Sequence, residues 1–337
     1  MSKDLQQRLF DVLLQRFSKR VTAIDRLSEL LGIGRDGVYR RMRGDTALSP
    51  AELEVLAQAF NISIDSLISR QSGSVFFSFN GFDERTHNFN DYLRGFQEEL
   101  EHAQAIEGTY FYYASIELPL FQSCFYRELI CFKLYIWGLT VLGYESLQDR
   151  PFSFDLLPDP LWETTRRIQD LYVALPSTEL WGTNVVDNTL NQIEYHVGSG
   201  HFGNIADALL LCNKLTELTF HMQAMAAAGE KFLPGQKPEN SKGAGFSLYY
   251  NEMVYTSNTL LAVTPNNKML FTSLSNPHFL KSADPRLCDY MERWFKAVTT
   301  KSNSISVQAE KQRQWFFNRL RRRIENARLR ISLAEEN

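Results

Sequence analysis

Four arginines fall within nine residues, at positions 35, 40, 41 and 43, with Asp36 and Gly37 among them and Thr46 three residues on. The guanidinium of arginine donates in a planar fork that matches the O6 and N7 acceptors of guanine, and a carboxylate accepts from the amino group of cytosine. Further arginines and a threonine hydroxyl suit phosphate oxygens, which carry charge but no base identity. The residue types therefore point to base contacts from Arg35, Asp36 and Arg40 and to phosphate contacts from Arg41, Arg43 and Thr46. Gly37 removes a side chain where a backbone must come close.

A helix has to carry these groups, and the flanking residues supply its limits. At about 100° per residue, Val38 and Met42 mark the inward side of a helix over Arg35 to Arg43, and Arg40 lies almost opposite. Asp36, Gly37 and Arg43 share that outward side, and Arg35 leads at the N-terminal end, the end that enters a major groove. Gly32-Ile33-Gly34 reads as a tight turn before the helix, and Gly44 as its C-terminal cap. Upstream, Phe10, Leu13, Leu14 and Phe17 give helical spacing from Leu5 to Phe17. A second helix is expected from a capping-box pair, Thr22 and Asp25, with Ala23, Leu27, Leu30 and Leu31 inward. Downstream, Ser49, Pro50 and Glu52 form a full helix-start signal ahead of Leu53, Leu56, Ala57 and Phe60. Ser63 is expected to cap a short fifth helix carrying Leu67 and Ile68.

This series over residues 26–68, RLSELLGIGRDGVYRRMRGDTALSPAELEVLAQAFNISIDSLI, resembles the Cro- and lambda-repressor-type helix-turn-helix (XRE) family. The matching features are Gly32, Gly44, the Leu56-Ala57 step and the Ser63–Leu67 helix. The chain departs from the family at Gly34, where a Ser or Thr usually caps the helix, and at Arg41 and Met42. The resemblance implies sequence-specific binding of double-stranded DNA and a role in transcription regulation. The remaining chain is similar to bacterial regulators that join such a domain to a long C-terminal region; VYRRMRGD, IELPLF, ELICFKLYIW, SLYYNEM and EKQRQWFFNRL carry that likeness. It implies no particular ligand or reaction.

At 337 residues the chain is too long for one small helical domain, and its net charge of −3 excludes a general polyanion binder. Residues 1–70 hold 11 Lys/Arg against 9 Asp/Glu and residues 310–330 hold 8 against 2, so basic ends flank an acidic body. The polar stretch Ser69 to Ser74 marks a domain boundary, giving a DNA-binding domain over 1–70 and a regulatory and dimerisation domain over 75–337. Beyond the boundary, strands are expected at Ser74–Phe79, Thr109–Ser115, Phe246–Glu252, Thr259–Val263 and Lys268–Ser273. Helices are expected at Asn90–Ala105, Leu120–Leu142, Pro160–Leu171, Val185–Val197, Asn204–Lys231, Asp284–Thr300 and Ser306–Ile331. The predicted fold is an all-α helix-turn-helix domain followed by an α+β, mostly helical domain with a small antiparallel sheet near 246–273.

Other groups with chemical potential read as structural. Gly198 to Gly203 matches G-x-G-x-x-G by letters, but helical patterns on both sides predict a helix–helix turn and not a cofactor loop. The histidines show no metal spacing, and Cys124, Cys131, Cys212 and Cys288 read as reduced core thiols of a cytoplasmic protein. No cofactor, metal or catalytic residue is expected, so the chain does not read as an enzyme. The apolar run Leu129 to Gly143 is short of the roughly 20 residues that span a bilayer, so no membrane partner is expected. The aromatic residues from Tyr110 to Tyr113 and from Phe121 to Trp137 suit either a core or a pocket for a small molecule. The stripe Phe316, Leu320, Ile324, Ala327 and Ile331 can dock on the protein's own core, pair two copies or approach phosphates. The expected state is a homodimer built through residues 75–337, chiefly through Leu120–Leu142 and Phe316, Leu320 and Ile324. The alternative is an antitoxin-like or anchoring protein whose C-terminal domain binds a protein partner.

Overall fold

In a computed structural model, which describes residues 5–17, 19–60, 62, 64–68, 74–79, 88–156, 159–240, 243–252 and 257–334, the periodic apolar residues at the N-terminus form five helices. These are α1 (Leu5–Gln15), α2 (Arg20–Leu31), α3 (Arg35–Arg43), α4 (Pro50–Ala59) and α5 (Ile64–Ile68). They enclose a core of Leu9, Phe10, Leu13, Ile24, Leu27, Val38, Leu56, Ile62 and Leu67. The chain divides into two compact units, Met1–Phe77 and Ser78–Asn337. Residues 69–73 of the expected boundary lie outside the described residues, as does Ser63, the expected cap of α5. The start of α2 differs from expectation: the helix begins at Arg20 after Lys19, which makes no side-chain cap. Thr22 therefore lies inside the first turn, and the Asp25 carboxylate faces Arg35 instead of a cap.

The second unit contains, in order, β1 (Ser78–Phe79), α6 (Phe89–Gln104), β2 (Tyr110–Ser115), α7 (Leu120–Ser123), α8 (Arg127–Trp137), α9 (Glu145–Gln148) and α10 (Asp159–Ala174). Then follow β3 (Ser177–Gly182), α11 (Asp187–Gly198), α12 (Ile205–Ala228), β4 (Phe246–Asn251), β5 (Thr259–Val263), β6 (Lys268–Ser275) and β7 (His278–Ser282). The last elements are α13 (Pro285–Thr300), β8 (Asn303–Ser304) and α14 (Glu310–Ala334). The strands form one eight-stranded sheet in the order β1-β7-β6-β5-β2-β3-β4-β8. It is larger than the small antiparallel sheet expected, and it is mixed: β2, β3 and β4 are parallel, and their neighbours on both sides are antiparallel. Parallel neighbours require long crossovers, and the helices between β2 and β3 and between β3 and β4 supply them.

Strand alternation sends side chains to two different layers. Phe111 and Tyr113 of β2, Trp181 of β3 and Leu248 of β4 face a large core shared with α6, α8, α10, α11, α12 and α14. Ala114, Leu180, Leu261 and Leu270 face the other way, onto Cys288, Phe295 and Val298 of α13. The expected helix Leu120–Leu142 is broken into α7, α8 and a π-helical turn over Gly138–Leu142. It is buried on nearly every side, and Lys133 hides its stem while its ammonium donates to the Leu118 carbonyl at 3.1 Å. The α14 stripe of Phe316, Leu320, Ile324, Ala327 and Ile331 is buried in the same core. Both surfaces expected to join two copies are thus consumed within one copy, because they are the most apolar faces and the sheet needs a cover. Among the described residues no helix is long and apolar enough to cross a membrane.

Candidate nucleic-acid interface

The link between α2 and α3 is set by a backbone reversal at Gly32, whose φ of 62° lies in the left-handed region that glycine adopts without strain. The N–H groups of Gly32 and Ile33 return to the carbonyls of Glu29 and Ser28, and the Ser28 hydroxyl donates to the Ile33 carbonyl. Gly34 then stands at the N-cap of α3 and offers no side chain to the first-turn amides. Val38 is fully buried and turns α3 so that the side carrying Asp36 and Arg40 is exposed. Gly44, at φ 83°, ends the helix with its N–H on the Arg41 carbonyl.

The seven candidate residues fall into distinct situations. Arg40 and Asp36 are exposed, one turn apart, and neither side chain has an ion pair or hydrogen bond among the described residues. Arg35 lies about 140° round the helix from Arg40 at 100° per residue. It pairs with Asp25 of α2 at 2.6 Å, and both side chains stay largely exposed. Arg43 pairs with Asp45 at 2.8 Å, again in solvent. Exposed pairs of this kind are worth about 0.2–1 kcal/mol, so a phosphate or base can displace the carboxylate at low cost. A Cβ on Gly37 would lie 3.4 Å from Ile33 of the turn, so that contact tolerates a methyl group. Thr46 is half-buried and held through its backbone, its N–H on the Arg40 carbonyl.

Arg41 behaves differently from its neighbours. Its guanidinium meets the Glu52 carboxylate at 2.7 Å, with the two side chains only 17% and 18% exposed. Arg41, expected to meet a phosphate, thus braces α3 against the start of α4 in this structure. Glu52 also closes the capping box: its carboxylate accepts from the Ser49 N–H at 2.8 Å and its own N–H donates to the Ser49 hydroxyl at 3.2 Å. Partial burial pushes the Glu52 carboxyl up, but the Ser49 and Arg41 bonds outweigh it and hold the group below its ordinary range.

Gln6 completes the frame and was not among the expected residues. Its amide donates to the carbonyls of Arg41 at 2.7 Å and Thr46 at 2.8 Å, while its carbonyl accepts from the Leu48 N–H at 2.7 Å. One side chain on α1 thus fixes both ends of the loop that follows α3. The signal in the sequence was a polar residue set beside the apolar stripe of α1, which many solvent-facing residues share.

In the second unit, the Gly198 to Gly203 segment joins α11 to α12 without a preceding strand. The four cysteines are buried, and burial pushes the thiols of Cys212 and Cys288 up to about 12 and about 11. A polar cluster that the sequence did not reveal sits inside the large core. The Glu179 carboxylate accepts from Tyr172 at 2.6 Å, from Ser177 and Trp181 at 3.1 Å, and from Gln122 at 3.2 Å. Lys231 lies 3.7 Å from the centre of the Tyr172 ring and donates to the carbonyls of Leu175 at 2.7 Å and Tyr172 at 3.2 Å. Burial pulls its ammonium down to about 7, against the attraction of Glu179. Gln122, Glu179 and Lys231 are fully enclosed, so the cluster ties α7, α10 and β3 together and presents nothing to a solute.

No protein-family model, curated protein or solved structure matches the chain. The candidate site on α3 therefore stands on its own geometry.

Proposed function

We propose that the chain is a sequence-specific DNA-binding transcriptional regulator, in which the N-terminal unit lays α3 in the major groove and the C-terminal unit joins two copies. The observation that carries the reading is the exposed and unengaged pair Asp36 and Arg40 on a short helix whose other side is anchored by Val38 and by the Arg41–Glu52 brace. Asp36 suits a cytosine amino group and Arg40 a guanine edge, so the pair can read base identity. Arg35, expected at a base edge, lies about 140° round α3 from Arg40 and, like Arg43, holds an exchangeable surface pair, so both suit phosphates. The hydrogen bonds of Gln6 and the glycine caps at Gly32 and Gly44 hold the segments at both ends of α3, as a readout helix requires.

The test is selection of bound sequences from random double-stranded DNA by the purified full-length protein, followed by titration of the winner at several salt concentrations. The expected result is an enriched motif whose affinity falls with salt according to the number of phosphates contacted. Recovery of no motif, with binding indifferent to sequence, would count against the reading.

A further inference from the structure

We infer that Asp36 makes the α3 site selective for duplex DNA with an unmethylated cytosine amino group in its major groove, so that methylation of that amine releases the protein. The inference rests on the reading of α3 as a groove-binding helix and names the chemistry that this site accepts.

Asp36 differs from the other carboxylates around α3. Three arginines of the helix are each matched to an acid outside it: Arg35 to Asp25 of α2 at 2.6 Å, Arg41 to Glu52 of α4 at 2.7 Å, and Arg43 to Asp45 at 2.8 Å. The fourth, Arg40, lies one turn beyond Asp36, yet neither side chain has an ion pair or hydrogen bond among the described residues. Both are exposed. Gly34 and Gly37 bracket Arg35 and Asp36 and carry no side chain, and Arg35 is held aside by Asp25. A short carboxylate can therefore reach the floor of a groove without longer neighbours holding the backbone away.

A carboxylate beside a polyanion is repelled by every nearby phosphate, so it favours binding where a base donates a hydrogen bond to it. In the major groove the donors are the amino groups of cytosine and adenine, whereas guanine and thymine turn acceptors outward. Arg40 decides between the two. Four residues of helix advance about 6 Å, less than two base steps of about 3.4 Å, so Asp36 and Arg40 read the same base pair or neighbouring ones. A C·G pair offers the amino group to Asp36 and O6 with N7 to Arg40, while an A·T pair has no such double acceptor for the arginine. One amino hydrogen of the paired cytosine is committed to guanine, and the other points into the major groove. A methyl group on that nitrogen must take the place of the second hydrogen for pairing to survive. It removes the donor and sets an apolar group against the carboxylate, which then loses water without gaining a partner. A methyl group on the adjacent ring carbon leaves the donor in place.

The test uses the full-length protein and the duplex enriched by selection from random DNA. Each cytosine of the motif is replaced in turn by N4-methylcytosine or by 5-methylcytosine, and affinities are compared at one salt concentration. At one cytosine of the motif, N4-methylation is expected to weaken binding by about tenfold or more, and 5-methylation by less than about threefold. Asp36→Ala, a change at an exposed position, should bind the methylated and unmethylated duplexes alike and should bind random duplex more tightly than the wild type. A motif in which no cytosine responds to N4-methylation beyond about twofold overturns the inference. So does an N4-methyl effect that Asp36→Ala retains in full. Either result leaves readout by α3 standing, whereas recovery of no motif at all removes the α3 reading and this inference with it.

Discussion

Asp36 and Arg40 occupy the same exposed side of α3 at a spacing that would allow an ion pair, yet they remain apart, so the hydrogen-bonding groups of both side chains stay unengaged among the described residues. Arg40→Ala is expected to cost about 1–3 kcal/mol of binding to the preferred sequence and to relax the preference at one position. Arg43→Ala should weaken all sequences alike and lower the salt slope; titrations against matched and scrambled duplexes separate the two, and equal loss on both duplexes for Arg40→Ala would refute its role. Arg41 predicts a different phenotype. Arg41→Ala leaves a largely enclosed carboxylate without its cation, so the N-terminal unit should lose about 1–3 kcal/mol of stability, read by urea unfolding. The effect has a pH signature. Glu52 is held below its unfolded value of about 4.3, so the contribution is fully present above that pH and is lost as pH falls through the lower folded value. Wild type and Arg41→Ala should therefore converge in stability at strongly acid pH. The arginine cluster was legible in the sequence as a cluster, but the inward direction of Arg41 was not, because it depends on where Ser49 and Pro50 start α4 and so deliver Glu52.

The helices α1, α3, α4, α12 and α14 follow closely from apolar spacing and cap residues, since both signals are local. The strand β3 did not, although it lies near the centre of the sheet. Its sequence, Ser177-Thr-Glu-Leu-Trp-Gly182, breaks the apolar pattern at Glu179, and that carboxylate is tolerable inside a core because Ser177, Trp181, Tyr172 and the distant Gln122 all donate to it. Missing β3 turns a mixed sheet with two parallel crossovers into a small antiparallel one. The same cluster yields a prediction about the element. Lys231 titrates near 7 when folded and near 10.4 when unfolded, so between about pH 7 and pH 10 only the unfolded chain holds the proton. Lys231 should make the stability of the C-terminal unit rise with pH from about 7 to about 8.5, and below that the cost of burying the charge is present in full. Above about pH 8.5 the slope is opposed by Cys124, Cys212 and Cys288, whose thiols burial keeps protonated in the folded chain alone, and from about pH 10 by Tyr172 and Tyr113 in the same way. Lys231→Met should flatten the dependence; parallel unfolding midpoints for wild type and variant across the window would show that the buried ammonium is not its source.

A single head of this kind touches few base pairs, and one recognition helix gives too small a ratio of specific to nonspecific affinity for a genome. Two heads joined through the C-terminal unit would resolve this by symmetry, because a twofold protein places its recognition helices on half-sites about one helical turn, or about 34 Å, or a multiple of it apart. The enriched DNA is therefore expected to contain an inverted repeat, with protection from hydroxyl radicals recurring on the two half-sites. The N-terminal unit alone, residues 1–77, supplies the decisive comparison, since it keeps α3, the Arg41–Glu52 brace and the Gln6 staple. Its affinity for an isolated half-site should equal that of the wild type. Its affinity for the full repeat should fall toward the half-site value, because the second contact is no longer tied to the first. An enriched motif without a repeat, bound equally well by the full chain and by residues 1–77, would leave readout by α3 intact and remove the need for paired heads.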